Sequence, residues 1–210
     1  MIEYPSIQNS SKAPRKPCIA FEKLDGSNFR AKWTQKNGFC LFGTRTQLID
    51  ETTPFFGKMV TVFNKDINEP LNRYLKKEYR NEREIVIFGE FFGPNSFAGR
   101  HEDEDQKIII FDILVGHKPN NRKFIKPQEF VKKLGDIVEI PRVVYQGNLN
   151  ESFIEDVRND KFNTFEGVIC KGTESVGNAM GGVWMCKIKT KKYFDKLKEQ
   201  FQDDWEKYGE

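Results

Sequence analysis

Apolar residues in this chain fall into short dense runs, and the period of each run decides the element it forms. Cys18 to Glu22 reads as a strand, and Asn28 to Trp33 alternates so that Phe29, Ala31 and Trp33 share one face. Asn37-Gly38 then supplies a tight hairpin turn, which makes Phe39 to Phe42 the returning strand. Residues 54–80 change period and read as helical, most clearly from Asn68 to Arg80, with Pro70 near the start and Leu71, Tyr74 and Leu75 at helical spacing. Glu84 to Phe92 and Lys107 to Val115 are dense in Ile and Phe and predict two strands buried on both faces, with a Gly, Pro and acidic loop between them. Pro127 to Leu134 and Glu151 to Asn159 predict short helices flanking a strand from Arg142 to Tyr145. Two more strands follow, Phe165 to Lys171 and Val183 to Lys189. An amphipathic helix begins at about Lys191, and its stripe of Tyr193, Leu197, Phe201 and Trp205 is expected to dock on a sheet. Residues 1–17, rich in Pro and Ser, read as an extended lead-in without a core of its own.

Strands in runs, with helices between and after them, predict an α+β fold with largely antiparallel sheets. The 210 residues suffice for one compact unit, and neither an internal repeat nor a Gly/Ser linker divides them. Hydrophobic residues make up 38% and charged residues 31%, with 19 Phe, which puts a real core beneath a charged surface and excludes a disordered chain. No apolar run approaches the roughly 18 residues that span a bilayer, and the start of the chain lacks the apolar segment of a signal peptide. The expected compartment is cytoplasmic. Cys18, Cys40, Cys170 and Cys186 form no C-x-x-C pair, and two histidines give little support for a zinc site, so the four are read as reduced, mostly buried thiols. A net charge of +3 decides nothing about partners, but six lysines and one acid between Lys187 and Lys198 form a basic cluster, while Glu102 to Asp105 is solidly acidic in the expected loop.

The candidate chemistry lies at strand ends. Lys23-Leu24-Asp25-Gly26 sets a lysine just ahead of a chain reversal, and a lysine in a buried site near other cations can shed its proton and act as a nucleophile towards phosphorus. Asp25 would then hold a metal-bound water near the attacked phosphate. Glu90 and Glu166 close apolar strands, where a carboxylate needs a hydroxyl, a cation or a metal-bound water to offset its desolvation. Lys187 and Lys189 share one face of a strand and can point into the same pocket, where an anion would reconcile their like charges. Read singly, each position also has a plain alternative: a solvated strand-end charge, a core ring at Phe111, a basic strand edge at Lys187 and Lys189.

Taken in order, these stretches resemble the covalent nucleotidyltransferase superfamily of polynucleotide ligases and messenger-RNA capping enzymes. Lys23-Leu24-Asp25-Gly26 resembles its lysine motif, Gly43-Thr44-Arg45-Thr46 its arginine motif and Phe88-Gly89-Glu90-Phe91-Phe92-Gly93 its glutamate motif. Ile110-Phe111-Asp112-Ile113 is similar to the motif whose aromatic ring stacks on the base, Glu166-Gly167-Val168-Ile169 to the E-G-V motif, and Lys187-Ile188-Lys189 to the closing K-x-K. The resemblance implies a nucleotidyltransferase fold of antiparallel sheets flanked by helices, with a nucleotide pocket between them, over residues 18–210. It also implies ATP as AMP donor, Mg2+ or Mn2+ as the metal, and a lysyl-AMP on Lys23. Lys187 and Lys189 would act with Lys23 on the phosphates. Glu22, Asn28, Arg45, Glu90, Phe111 and Glu166 would hold the nucleotide, and Asp25 and Glu166 would hold metal waters.

Glu22-Lys23-Leu24-Asp25-Gly26-Ser27-Asn28 further resembles the E-K-x-x-G-x-N pattern of the RNA ligase 2 type, where DNA ligases usually carry arginine in the place of Asn28. The reading is therefore an ATP-dependent RNA ligase joining 3′-hydroxyl and 5′-phosphate ends, acting on nicked or splinted duplex containing RNA. Arg30, two residues on, keeps a DNA ligase open. More distant alternatives are a capping guanylyltransferase and an inactive module that binds nucleic-acid ends. Ligases of the superfamily usually carry a further domain after the last motif, an OB-fold or a helical domain. None is expected in the roughly twenty residues after Lys189, so a minimal ligase, a domain fragment, or a subunit whose partner supplies the rest is implied.

Overall fold

The computed structural model describes residues 1–93, 105–175 and 180–202. The strands are β1 (Gln8–Asn9), β2 (Pro17–Glu22), β3 (Ser27–Thr34), β4 (Gly38–Gly43), β5 (Leu48–Ile49), β6 (Glu84–Phe92), β7 (Lys107–Val115), β8 (Lys123–Phe124), β9 (Val143–Asn148), β10 (Gly167–Ser175) and β11 (Val183–Lys189). The helices are α1 (Gly57–Asp66), α2 (Asn68–Glu78), α3 (Pro127–Leu134), α4 (Glu151–Arg158) and α5 (Lys191–Phe201). The α+β class expected from the element order is observed. Contacts divide the chain into two units, Met1–Pro5 with Asp25–Ile140, and Ser6–Leu24 with Pro141–Glu210.

The first unit is built on a six-stranded sheet in the order β5-β4-β3-β6-β7-β8, antiparallel at every pairing. The alternation of β3 does what its period requires, since Phe29, Ala31 and Trp33 are fully buried. Phe63 of α1 covers that face, its ring centroid 5.2 Å from Phe29 and 4.9 Å from Phe39. The helical stretch splits at Ile67 because a proline ring clashes with the carbonyl four residues back, and Pro70 places that clash on Asp66, the last residue of α1. The buried indole of Trp33 donates to Asn72 Oδ1 at 2.8 Å, which pins α2 to the sheet. Between β6 and β7 the register passes from Phe88 opposite Asp112 to Gly89 opposite Ile110, leaving Phe111 as the extra residue of a β-bulge.

The second unit carries a five-stranded sheet in the order β1-β11-β10-β2-β9, with β1 parallel to β11 and the other pairs antiparallel. Its core sets Cys18, Ala20, Val168, Cys170, Cys186 and Ile188 from the sheet against Leu149, Phe153, Ile154 and Val157. Cys170 lies opposite Cys186 in the register, and hydrogen bonds to Cys18 and Cys186, with burial, push its thiol well above the ordinary range. All four cysteines are free thiols, with Cys40 the exposed one, as the absence of a C-x-x-C pair suggested. Of the 1–17 stretch, Gln8–Asn9 pairs with β11, Ser10–Lys12 forms a short 3-10 turn, and Ser10 and Ala13 are buried. The stretch thus contributes to a core that its polar composition did not announce.

The helix α4 starts where Asn150 Oδ1 accepts from the Phe153 amide at 2.8 Å. Replacing Asn150 with alanine is expected to lower stability by about 1 kcal/mol, read as a shifted urea midpoint at unchanged slope. Thr190 caps α5 in the same way, accepting from the Tyr193 amide at 3.0 Å. Tyr193 and Leu197 are buried, as the amphipathic stripe requires, while Trp205 and residues 102–104 of the acidic run lie outside the described residues. Among the described residues no helix is long and apolar enough to cross a membrane.

Candidate active site

In the second unit the chemistry gathers on Glu166. The chain leaves β2 at Glu22, and the Lys23 amide donates to the Gly167 carbonyl at 2.9 Å, which fixes the lysine beside the start of β10. Gly167 has φ 139°, and a Cβ on it would lie 2.0 Å from the Ile188 carbonyl oxygen, so only glycine lets β10 begin this close to β11. That approach carries Glu166 inside, where it is 3% exposed rather than a surface carboxylate past a strand end. Its Oε2 accepts from Lys23 Nζ at 2.7 Å, and its Oε1 stands 3.6 Å from Lys189 Nζ. Ile188 is buried on the opposite face of β11, so Lys187 and Lys189 project to the same side.

Burial holds the Lys189 ammonium below its ordinary value, and Lys23 and Lys187 push the same way against the opposing pull of Glu166. The Lys189 ammonium therefore stands close enough to Lys23 and Lys187 to feel both. Because the folded value is lowered, the unfolded chain binds more protons between that value and the ordinary one near 10.5, and stability rises with pH across that window. The difference in urea midpoint between the wild-type chain and Lys189→Met should shift in favour of the wild type as pH rises towards about 10.5, which isolates this contribution from those of the other alkaline groups.

Glu22 is held by a residue that the sequence did not single out. Arg142 Nε donates to Glu22 Oε2 at 2.9 Å, and its Nη2 donates to the carbonyls of Phe162 and Asn163 at 3.1 Å each. The same guanidinium thus fixes the end of β2 and the turn that leads into Glu166. Lys171 was also passed over. It is 4% exposed within β10, its Nζ 5.2 Å from the Phe21 ring centroid, and a lone lysine inside a buried apolar run was the signal for it. Of the basic cluster, Lys191 is tied to Glu155 and Asn159, Lys198 pairs with Asp195, and Lys196 lies over the half-exposed Phe165 ring at 4.3 Å.

In the first unit Glu90 Oε1 accepts from the Gly26 amide at 3.1 Å. A Cβ at Gly26 would stand 2.4 Å from the Phe91 carbonyl oxygen, so glycine is what permits the turn after Asp25 to approach β6. Asn28 lies opposite Glu90 in the β3–β6 register, and its Oδ1 is buried with no hydrogen-bond partner among the described residues. An orphaned buried acceptor of this kind suits a donor brought by a ligand. Arg45 sits exposed in the turn closed by the Thr44 amide on the Gln47 carbonyl at 3.0 Å. Asp25 and the bulge residue Phe111 are half-buried. Arg30 is only 2% exposed and donates to the Met1 carbonyl at 3.1 Å, which gives it a packing duty within the unit.

Among the described residues no group of three or more His, Cys, Asp or Glu could hold a metal ion by itself. Single carboxylates such as Asp25 and Glu166, the latter paired with Lys23 and Lys189, are the donor type that suits a divalent ion keeping several waters and taking the rest of its ligands from phosphates.

The fold is shared with solved structures of an RNA ligase from Naegleria gruberi. An apo variant of that ligase superposes with a TM-score of 0.67 at 16% identity, over 94% of this chain and 58% of that one. A variant with ATP and Mn gives 0.66 at 16% over 93% and 58%, and the ligase with PPi gives 0.67 at 16% over 94% and 58%. This chain therefore spans 58% of the length of the ligase it matches. A comparison with curated proteins gives no match. The sequence profile of the RNA ligases matches residues 16–189, and the chain belongs to the RNA ligase family.

Proposed function

We propose that this chain is an ATP-dependent RNA ligase that takes AMP from ATP onto Lys23, passes it to a 5′-phosphate end, and seals that end to a 3′-hydroxyl in nicked or splinted duplex. The observation that carries the reading is the buried Glu166 carboxylate shared by Lys23 and Lys189. Attack on phosphorus requires the neutral amine, and Glu166 Oε2 at 2.7 Å stands within reach of the Lys23 proton. In the first step the Lys23 Nζ to α-phosphorus bond forms while the bond from that phosphorus to the pyrophosphate oxygen breaks. Charge builds on the phosphate oxygens, and Lys187 and Lys189 supply fixed positive charge for it.

In this reading Phe111 stacks on the adenine, while Asn28, Arg45 and Glu90 hold the sugar and phosphate ends of the nucleotide. Glu22, braced by Arg142, positions the lysine strand. Asp25 and Glu166 each offer a carboxylate to metal waters, and a divalent cation, when bound, supplies charge for the phosphates. ATP as donor is supported by the Naegleria ligase, whose structures include complexes with ATP and Mn and with PPi. The preference for RNA is supported by the family match and by Asn28 in the E-K-x-x-G-x-N pattern.

The test is to incubate the full chain with a divalent cation and ATP labelled at the α-phosphate, denature it, and look for label that stays with the chain, beside labelled GTP. Label from ATP alone, followed by sealing of a nick with an RNA 3′-hydroxyl strand in preference to a DNA one, is the expected result. Charging without that preference moves the assignment to a DNA ligase, and no charging of a folded chain overturns the enzymatic reading.

A further inference from the structure

We infer that Tyr4 is a positioning residue for nucleobase recognition, its ring setting the attitude of Phe111. The inference rests on the reading of Phe111 as the base-stacking ring. Adjacent residues of a regular strand point to opposite faces, so a single side chain does not ordinarily meet both. Here Tyr4 does meet both: its hydroxyl donates to Asp112 Oδ2 at 2.6 Å and its ring stands edge-on to Phe111 at 5.0 Å. The bulge explains the exception, because the extra residue in β7 breaks the alternation at Phe111 and re-aims its side chain.

A bulge residue has lost the regular ladder that holds its neighbours, so its orientation must be fixed by packing. Tyr4 supplies that packing and is itself fixed on several sides. Its ring is 4.9 Å from Phe88 and 5.7 Å from Phe124, both buried, and Asp112 is 1% exposed. Burial, reinforced by Asp112, pushes the Tyr4 hydroxyl well above its ordinary range, so it remains a donor at every working pH. Arg30 of β3, which donates to the Met1 carbonyl, ties the start of the same segment to that strand. Tyr4 touches no reacting atom in this scheme and acts through the ring of Phe111.

The experiment measures initial rates of label transfer from ATP against ATP concentration, with thermal melting alongside. The set is the wild-type chain, Tyr4→Phe, Tyr4→Leu, Phe111→Leu and the Tyr4→Leu/Phe111→Leu double variant. Tyr4→Leu should raise KM for ATP about tenfold, the size one aromatic pair accounts for, with kcat little changed. Tyr4→Phe keeps the ring edge and should keep KM near the wild-type value, while melting at a lower temperature because Asp112 loses a donor. The double variant should show the KM of Phe111→Leu alone, since the brace has nothing left to hold. An unchanged KM in Tyr4→Leu, or a Tyr4→Leu effect that persists undiminished in the Phe111→Leu background, overturns the inference. An unchanged KM in Phe111→Leu overturns instead the stacking role on which it rests, as does a wild-type chain that takes no label. Should Tyr4→Leu melt too low to assay, Tyr4→Met, which also lacks the aromatic edge, is read against the same outcomes.

Discussion

Lys23→Ala should abolish transfer of α-phosphate label from ATP to the chain while leaving the fold intact. Lys23 sits at the end of β2 with its side chain 24% exposed, so its truncation opens no cavity in the core. Its loss does strand the buried Glu166 carboxylate, but Lys189 remains 3.6 Å from the other oxygen of that carboxylate. Stability should therefore fall by no more than about 2 kcal/mol, within the cost of losing one partner of a hydrogen-bonded charge. Activity should fall to background, because Lys23 supplies the amine held 2.7 Å from Glu166 Oε2. Lys23→Arg should fail equally, since a guanidinium stays charged at any working pH and has no lone pair to offer. The assay is retention of label after denaturation together with a thermal melt. Label persisting in Lys23→Ala would place the nucleophile elsewhere.

Glu166→Gln keeps shape and volume and removes the negative charge that Lys23 and Lys189 share. If Glu166 accepts the Lys23 proton, the variant should charge about 10² to 10⁴ times more slowly near neutral pH, the usual range for losing a positioned proton acceptor. The pH profile separates this role from simple misplacement. The deficit of Glu166→Gln should shrink as pH rises, because hydroxide can take the proton in place of the carboxylate. A variant that is slow by the same factor at every pH would show that Glu166 serves only to place Lys23.

The parts of the fold that were legible in the sequence are those fixed by local pattern. The strands Glu84–Phe92 and Lys107–Val115 match their predicted bounds because dense Ile and Phe between polar breaks leave little choice of period. The helices α3 and α4 were legible for the same reason. What the pattern of one segment cannot hold is a relation between segments. The bulge at Phe111 is a count of residues in β7 against β6, and neither strand shows it alone. Arg142 gives no local sign of its role, since its three acceptors come from Glu22 and from a turn twenty residues later. Arg30 was expected to leave room for a DNA substrate, and it is buried with a hydrogen bond to the Met1 carbonyl, a partner that the pattern of β3 does not include. The two-residue strands β1, β5 and β8 are shorter than any periodicity can register.

The candidate site shows the same division. The motif residues were legible because their order along the chain is itself a signal, and Glu166 and Lys23 do meet in one unit. The reason Glu166 is buried was not legible. It lies in the contact between Gly167 and Ile188, where a methyl group would collide with backbone, and the pairing of β10 with β11 is what creates it.

The parallel pairing of β1 with β11 bears on how the protein behaves in concentrated solution. β11 carries Val183, Trp184, Met185 and Cys186 in succession, and its outer row of amides and carbonyls is met at Cys186 and Lys187 by Gln8 and Asn9. An uncovered apolar border of this kind is a template for a second chain to add itself, which is how soluble proteins start to aggregate. Two polar residues thus cover the Cys186–Lys187 part of that border, and shortening the chain past Asn9 is expected to lower the solubility of the protein as well as its melting temperature.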